Sequence, residues 1–403
     1  MIPSAAVKAF LIIAIVVVVE IAVALALIPV TNRARLEPTD FVNFYVGASI
    51  VRSGDGPKLY ERQTQDAAFK SIVGHASNQY FLHPPFEAAA FAPMTRLSLE
   101  QAFILWTLIN VGLLGLLPLI LMHCIPLIAE RPYLGLLGFC FLPALTAIVL
   151  GQDSVLLLFV IALSYFLIQT QKDLAAGLVL SLATIKFQYV LILLFLLLLA
   201  RRVRVGAGFG LGCALLGFAS SMITGPGGLL EYFRFVRSFE AHSGYGGLNS
   251  TLMVNVRGFL TGLGWTAHST LCAVVGGIVL FGLGVLVART ADKTGRHGLA
   301  FALYVTIALA AAPYAHFPDM TILLLPLLLA LDYIARVKNK LIFSCCVLMF
   351  LWPFLLLALG GHYWWNSRIY LVFPVITLFI AGLATELYLA RAARPVSMAR
   401  LSA

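Results

Sequence analysis

Asp40 stands where the chain first turns from apolar to polar, in Thr39-Asp40-Phe41-Val42-Asn43-Phe44-Tyr45, about ten residues beyond the apolar stretch Phe10 to Val30. Two kinds of chemistry suit a carboxylate there. As the residue before a short helix it would accept hydrogen bonds from the free N–H groups of the first turn. As a general base at the mouth of a membrane cavity it would take a proton from a hydroxyl, with burial and neighbouring charge setting its pKa. Other ionisable side chains sit in equally unusual company. Lys186 falls within the apolar run Leu174 to Ala200, where a charge is costly and is expected to face a cavity or a partner. Glu20 in the first apolar stretch and Glu87 after Pro84-Pro85-Phe86 are further costly carboxylates, read as helix-packing hydrogen bonds. The six cysteines, all in apolar segments, lack the spacing of metal ligands and suggest no disulfide framework. No acidic cluster in the sequence requires a metal ion.

The elements that must position these residues follow from composition. Of 403 residues 61% are hydrophobic and only 11% charged, where a soluble domain carries about a quarter charged residues. Charge-poor stretches include Phe10 to Val30, Phe103 to Ile125, Tyr133 to Leu150, Val205 to Thr224, Leu341 to Gly360 and Ile369 to Leu389. Each is long enough as a helix to cross about 30 Å of hydrocarbon. Their apolar character is continuous instead of alternating, which excludes a β-barrel. The expected fold is an all-α polytopic transmembrane bundle of about 12 spans, within roughly 11 to 13, forming one membrane domain over residues 1–403. The first span carries no cleavage pattern and reads as a retained anchor. A formal charge of +10 does not point to nucleic acid, because the Lys and Arg residues lie in short clusters between apolar spans. Arg201, Arg202 and Arg204; Arg289, Lys293 and Arg296; Arg336, Lys338 and Lys340; and Arg391, Arg394 and Arg400 read instead as cytoplasmic ends facing anionic lipid.

That assignment puts residues 31–81 and 225–250 in two long extracytoplasmic loops, with 313–319 and 361–368 on the same face. The first loop holds six basic and five acidic residues in about an eighth of the chain. Helical spacing predicts amphipathic surface helices over Phe41 to Val51 and Tyr60 to Val73, and a third within Glu231 to Glu240. His362-Tyr363-Trp364-Trp365 reads as an interfacial aromatic belt.

An ordered series of short motifs runs through this frame. After Asp40 come Gly54, Leu59-Tyr60, Tyr80-Phe81-Leu82-His83-Pro84-Pro85-Phe86, Ala92-Pro93-Met94 and Ala102 with Trp106. Gly151-Gln152, Ala176-Gly177, Ile185-Lys186 and Leu248-Asn249-Ser250 follow. The series resembles glycosyltransferase family 87, the polyprenol-phosphate-mannose-dependent mannosyltransferases of the C-type membrane superfamily. It departs from the family pattern at Phe187, where a proline usually follows the lysine.

The resemblance implies that Asp40 is the catalytic base. It also implies an inverting transfer of a hexose, mannose, from a polyprenyl-phosphate donor to a lipid or glycan acceptor, outside a bacterial inner membrane. One base suffices, because the leaving phosphate departs as an anion and needs cationic or N–H stabilisation more than an acid. Arg257, with its planar fork, and Lys186 are the candidates for that stabilisation. His316 and His83 would be hydrogen-bonding partners, and Gln152, Asn249 and Tyr45 substrate contacts. The plainer reading of each is an interfacial or capping residue. A sugar-nucleotide donor is disfavoured because no glycine-rich nucleotide-binding domain is visible, and no cofactor is implied. Two other functions remain open, a secondary transporter or flippase and a ligase of lipid-linked glycans. The first of these lacks the internal repeat that transporters commonly show.

Overall fold

The computed structural model describes residues 28–31, 36–75, 79–240, 250–265 and 269–401, and the side chains of most of these. Glu20, Asn249 and most of the first apolar stretch lie outside them, as do the side chains of the expected aromatic belt.

Among the described residues there are helices and one isolated bridge, Met253 with His316, and no strand. The outer region begins with α1 (Phe41–Arg52), α2 (Arg62–Val73) and the short α3 (Pro85–Phe91). The bundle follows with α4 (Leu99–Leu121), α5 (Leu142–Leu150), α6 (Ser154–Gln169), α7 (Asp173–Ser181), α8 (Phe187–Leu199) and α9 (Val203–Thr224). Helix α10 (Gly228–Glu240) returns to the outer region, and α11 (Val256–Gly262) leads to α12 (Ser269–Thr294), α13 (His297–Ala311), α14 (Leu324–Val337), α15 (Lys340–Arg368) and α16 (Phe373–Leu401). Helices occupy the three stretches expected to be helical, at nearly the expected bounds, and α1 is mostly buried instead of lying on a surface.

Seven helices are long and apolar enough to cross a membrane, or eight if the pair Pro132–Cys140 and Leu142–Leu150, bent by 58°, counts as one span. Ser154–Gln169 and His297–Ala311 are apolar but shorter. The described residues therefore supply fewer crossings than the twelve expected. Pro84 to Met94 folds as one short helix and a 3-10 turn, and Leu174 to Ala200 is a single path of α7, a 3-10 segment at Leu182–Lys186 and α8. Large apolar side chains point outward along these helices: Leu116, Phe195, Phe218, Met222 and Ile278 are all exposed. An outward apolar surface of that extent suits hydrocarbon and not water.

Two cores hold the molecule together. The larger fills the bundle; the smaller is aromatic and binds α1, α2, α3 and α10 to the start of α4. In the smaller core Phe44 stacks on Phe91 with centroids 5.1 Å apart, Phe41 meets Phe103 edge-on at 5.5 Å, and Tyr60 meets Tyr232 at 5.3 Å. Within the bundle α7 and α9 touch backbone to backbone. A Cβ on Gly177 would lie 2.0 Å from the Val205 carbonyl oxygen, and one on Gly208 2.0 Å from that of Leu174. Small residues at such crossings let helices approach closely enough for dispersion to hold them.

The two ends of α13 define the two ends of the bundle. At its C-terminal end Asn255 donates to the Ala312 carbonyl at 2.7 Å and Val254 N–H to that of Ala315 at 2.8 Å, while Phe259 lies against Tyr370. These contacts gather the segments around 254–259, 312–315 and 370 at one end of the bundle. At the N-terminal end Arg296 pairs with Glu386, which also accepts from Asn339 and Tyr333.

Candidate active site

Asp40 immediately precedes α1 but does not cap it. Its backbone is already helical, at φ −67° and ψ −23°, and its carboxylate receives no hydrogen bond from the first turn. The carboxyl instead bonds the side chain of Gln152, with His316, Lys186 and His83 near enough to act on its charge. Burial pushes its pKa above the ordinary carboxylate value, and Gln152 and the three cationic groups oppose that rise. Four residues singled out from widely separated stretches of sequence thus converge on the fifth.

Gln152 arrives there through a turn that only glycine makes cheaply. Gly151 ends α5 at φ +64°, and a Cβ on it would stand 2.6 Å from that of Phe41 and 3.0 Å from the Phe103 ring. The Gly151 carbonyl accepts from the Trp106 indole at 2.9 Å, and Gln152 N–H returns to Ala147 O at 2.8 Å. We expect Gly151→Ala to lower stability by about 2–4 kcal/mol, combining left-handed strain with overpacking. Thermal unfolding in detergent would measure it.

Lys186 sits at the break between α7 and α8. Its backbone leaves the helix at φ −126° and ψ 67°, so the path breaks here although Phe187 replaces the proline of the family pattern. The ammonium is buried, and its neighbours are spoken for. It lies 2.7 Å from Asp153 Oδ1, bonds Asp319 Oδ1 at 2.5 Å, and donates to Ser154 Oγ and Gln152 Oε1 at 3.0 Å each. Tyr189 donates to Asp319 Oδ2 at 2.7 Å, and the His316 N–H to the same oxygen at 2.9 Å. Because Lys186 occupies the amide oxygen of Gln152, the NH2 end is left to donate to Asp40. Lys186 thus orients the partner of Asp40, and two carboxylates neutralise its charge.

The family model of glycosyltransferase family 87 matches residues 81–315, more than half of the chain. This chain belongs to glycosyltransferase family 87. No curated protein and no solved structure matches it. Membership makes the chain a glycosyltransferase. The matched segment of this family 87 chain contains His83, Gln152, Lys186 and Arg257 and stops one residue short of His316; Asp40 precedes it.

Two further expected contacts, Tyr45 and Arg257, are not among the groups that act on the charge of Asp40. Tyr45 donates its hydroxyl to the Leu97 carbonyl at 2.8 Å, fixing α1 to the start of α4. Arg257 begins α11, behind Asn255, whose side chain caps that helix by accepting from Gly258 N–H at 3.0 Å. Its guanidinium lies over the Tyr314 ring at 5.5 Å, and its buried Nε has no hydrogen-bond partner. It lines a cavity of about 330 Å³ whose other walls, including Ile192, Val274, Ile278, Phe281 and Pro313, are apolar.

Sequence alone did not single out Asp153, Ser154, Tyr189, Asn255 or Asp319, and it gave Glu87 only a helix-packing role. Asp153 carried a signal, since an acidic residue directly before an apolar run needs a partner. The partner, Lys186, could be recognised only once α5 and α7 were brought together.

Proposed function

We propose that this glycosyltransferase moves a hexose, mannose, from a polyprenyl-phosphate donor to a lipid or glycan acceptor, with inversion, on the extracytoplasmic side of a bacterial inner membrane. Asp40 is the general base. The observation that carries this reading is that Asp40, at a helix start, leaves the helix uncapped and turns its carboxyl to Gln152 among His316, Lys186 and His83.

The step balances with one carboxylate. The acceptor O–H gives its proton to Asp40 as its oxygen attacks the anomeric carbon; the bond from that carbon to the phosphate oxygen breaks on the opposite face, and the phosphate leaves with the electron pair. Arg257 supports the departing charge. It stands at the polar end of an otherwise apolar cavity that suits an isoprenoid tail approaching between helices. Gln152 keeps Asp40 oriented, and His316 lies within reach of its charge.

Incubating the purified chain with labelled polyprenyl-phosphate mannose and a membrane glycolipid extract tests the reading. A labelled glycan product supports it; uptake of label into vesicles without a new glycosidic bond would replace it with a carrier. Arg257→Ala should raise the KM for the lipid donor by roughly 10- to 150-fold, the equivalent of a lost charge-assisted hydrogen bond. A variant with an unchanged donor KM would remove Arg257 from the phosphate site.

A further inference from the structure

We propose that His83, Glu87 and Asp153 form a binding site for one divalent cation. Their ligand atoms lie within 4.8 Å of one another, with His83 Nδ1 2.9 Å from Glu87 Oε2 and 3.7 Å from Asp153 Oδ2. Atoms bound at 2.0–2.2 Å to a common centre stand about 3 to 3.5 Å apart, and the two His83 distances of 2.9 and 3.7 Å bracket that range.

A second observation separates the group from an ordinary buried ion pair. Both oxygens of Glu87, both of Asp153 and His83 Nδ1 are buried atoms that make no properly directed hydrogen bond. Glu87 is 3% exposed and Asp153 fully enclosed. Buried carboxylates normally satisfy their lone pairs, and here each carboxylate has one close cationic neighbour, His83 for Glu87 and Lys186 for Asp153, for four buried oxygens. Charge points the same way. The four carboxylates Asp40, Glu87, Asp153 and Asp319 gather with one lysine and two histidines. With all four carboxylates ionised and both imidazoles protonated, one negative charge is in excess. Lys186 engages Asp153 through Oδ1, leaving Oδ2 turned to His83.

The ligands are also preorganised. Tyr60 holds the His83 carbonyl at 2.7 Å, Phe44 and Phe81 flank the imidazole with centroids at 4.8 and 5.7 Å, and Pro84-Pro85 fix the chain leading to Glu87. The His83 side chain is 21% exposed, which gives an ion its route in. Two carboxylates and one imidazole suit Mn²⁺ or Mg²⁺, with Zn²⁺ as the nitrogen-favouring competitor. The site stands independently of the role given to Asp40, because its test is binding and not turnover.

Titration of the full chain in detergent with Mn²⁺, followed by electron paramagnetic resonance, should show one saturable equivalent. Glu87→Gln and His83→Asn should each weaken it at least tenfold, and Glu61→Gln, at an exposed carboxylate, should leave it unchanged. Mn²⁺ should raise the unfolding temperature of the parent and not of His83→Asn, which serves if Glu87→Gln fails to fold. Absence of saturable binding, or equal binding by the parent and both ligand variants, would overturn the site and leave a protonated His83 and Lys186 as the cations that offset the two carboxylates.

Discussion

Asp40→Asn should lower the transfer rate roughly a hundred- to ten-thousand-fold with little change in donor affinity, the range general-base catalysis contributes. The amide keeps the shape of the carboxyl and its contact with Gln152 while losing the ability to take a proton. Burial raises the pKa of Asp40, so the parent should lose activity on acidification at a pH above that of a free aspartate, whose value is 3.8. The sign is fixed by the base form: protonating Asp40 removes it, and raising the pKa moves that loss to higher pH. Single-turnover rates against pH for the parent and Asp40→Asn provide the check. Parental speed in the amide variant would remove Asp40 from the chemistry.

Lys186→Met should be the most destabilising single change at the site. Its ammonium faces Asp153 and Asp319, neither more than 5% exposed, and removing it strands both. Breaking a buried pair from one side costs about 3–5 kcal/mol, because the orphaned charge stays in a poor solvent. Restoring neutrality should recover part of that loss, so Lys186→Met with Asp319→Asn should unfold at a higher temperature than Lys186→Met alone. Equal unfolding temperatures for the two would mean that Asp319 draws its compensation from elsewhere. The single variant should also lose turnover, since the Gln152 amide is then free to flip away from Asp40.

What was legible beforehand divides by the kind of force involved. Continuous apolar runs announced the helices, and the amphipathic stretches after Asp40 and Glu231 announced α1 and α10, because both depend on local periodicity alone. The number of crossings was not legible, since whether an apolar stretch crosses, bends or breaks depends on contacts such as those that bend the Pro132–Leu150 segment and break the chain at Lys186. His83, Gln152, Lys186 and His316 were named as candidates through an ordered resemblance, and the structure brings all four to Asp40. The bond from Tyr45 to the Leu97 carbonyl was not legible, because a tyrosine on the helix after Asp40 looks the same in sequence whatever its hydroxyl meets. Asp153 and Asp319 escaped notice because a charge becomes meaningful only beside its opposite, and theirs is more than thirty residues away in one case and more than a hundred in the other.

Asp40 directly precedes Phe41 of the smaller, aromatic core, and Gln152 lies in a turn of the bundle. Nothing covalent fixes the gap between them except a long detour of chain. The gauge is the seating of Phe41 on Gly151, a contact with no room for one added methyl group. A shim there would lift the carboxylate off its amide without touching either, so the tolerance of the whole machine is set at an apolar contact that does no chemistry.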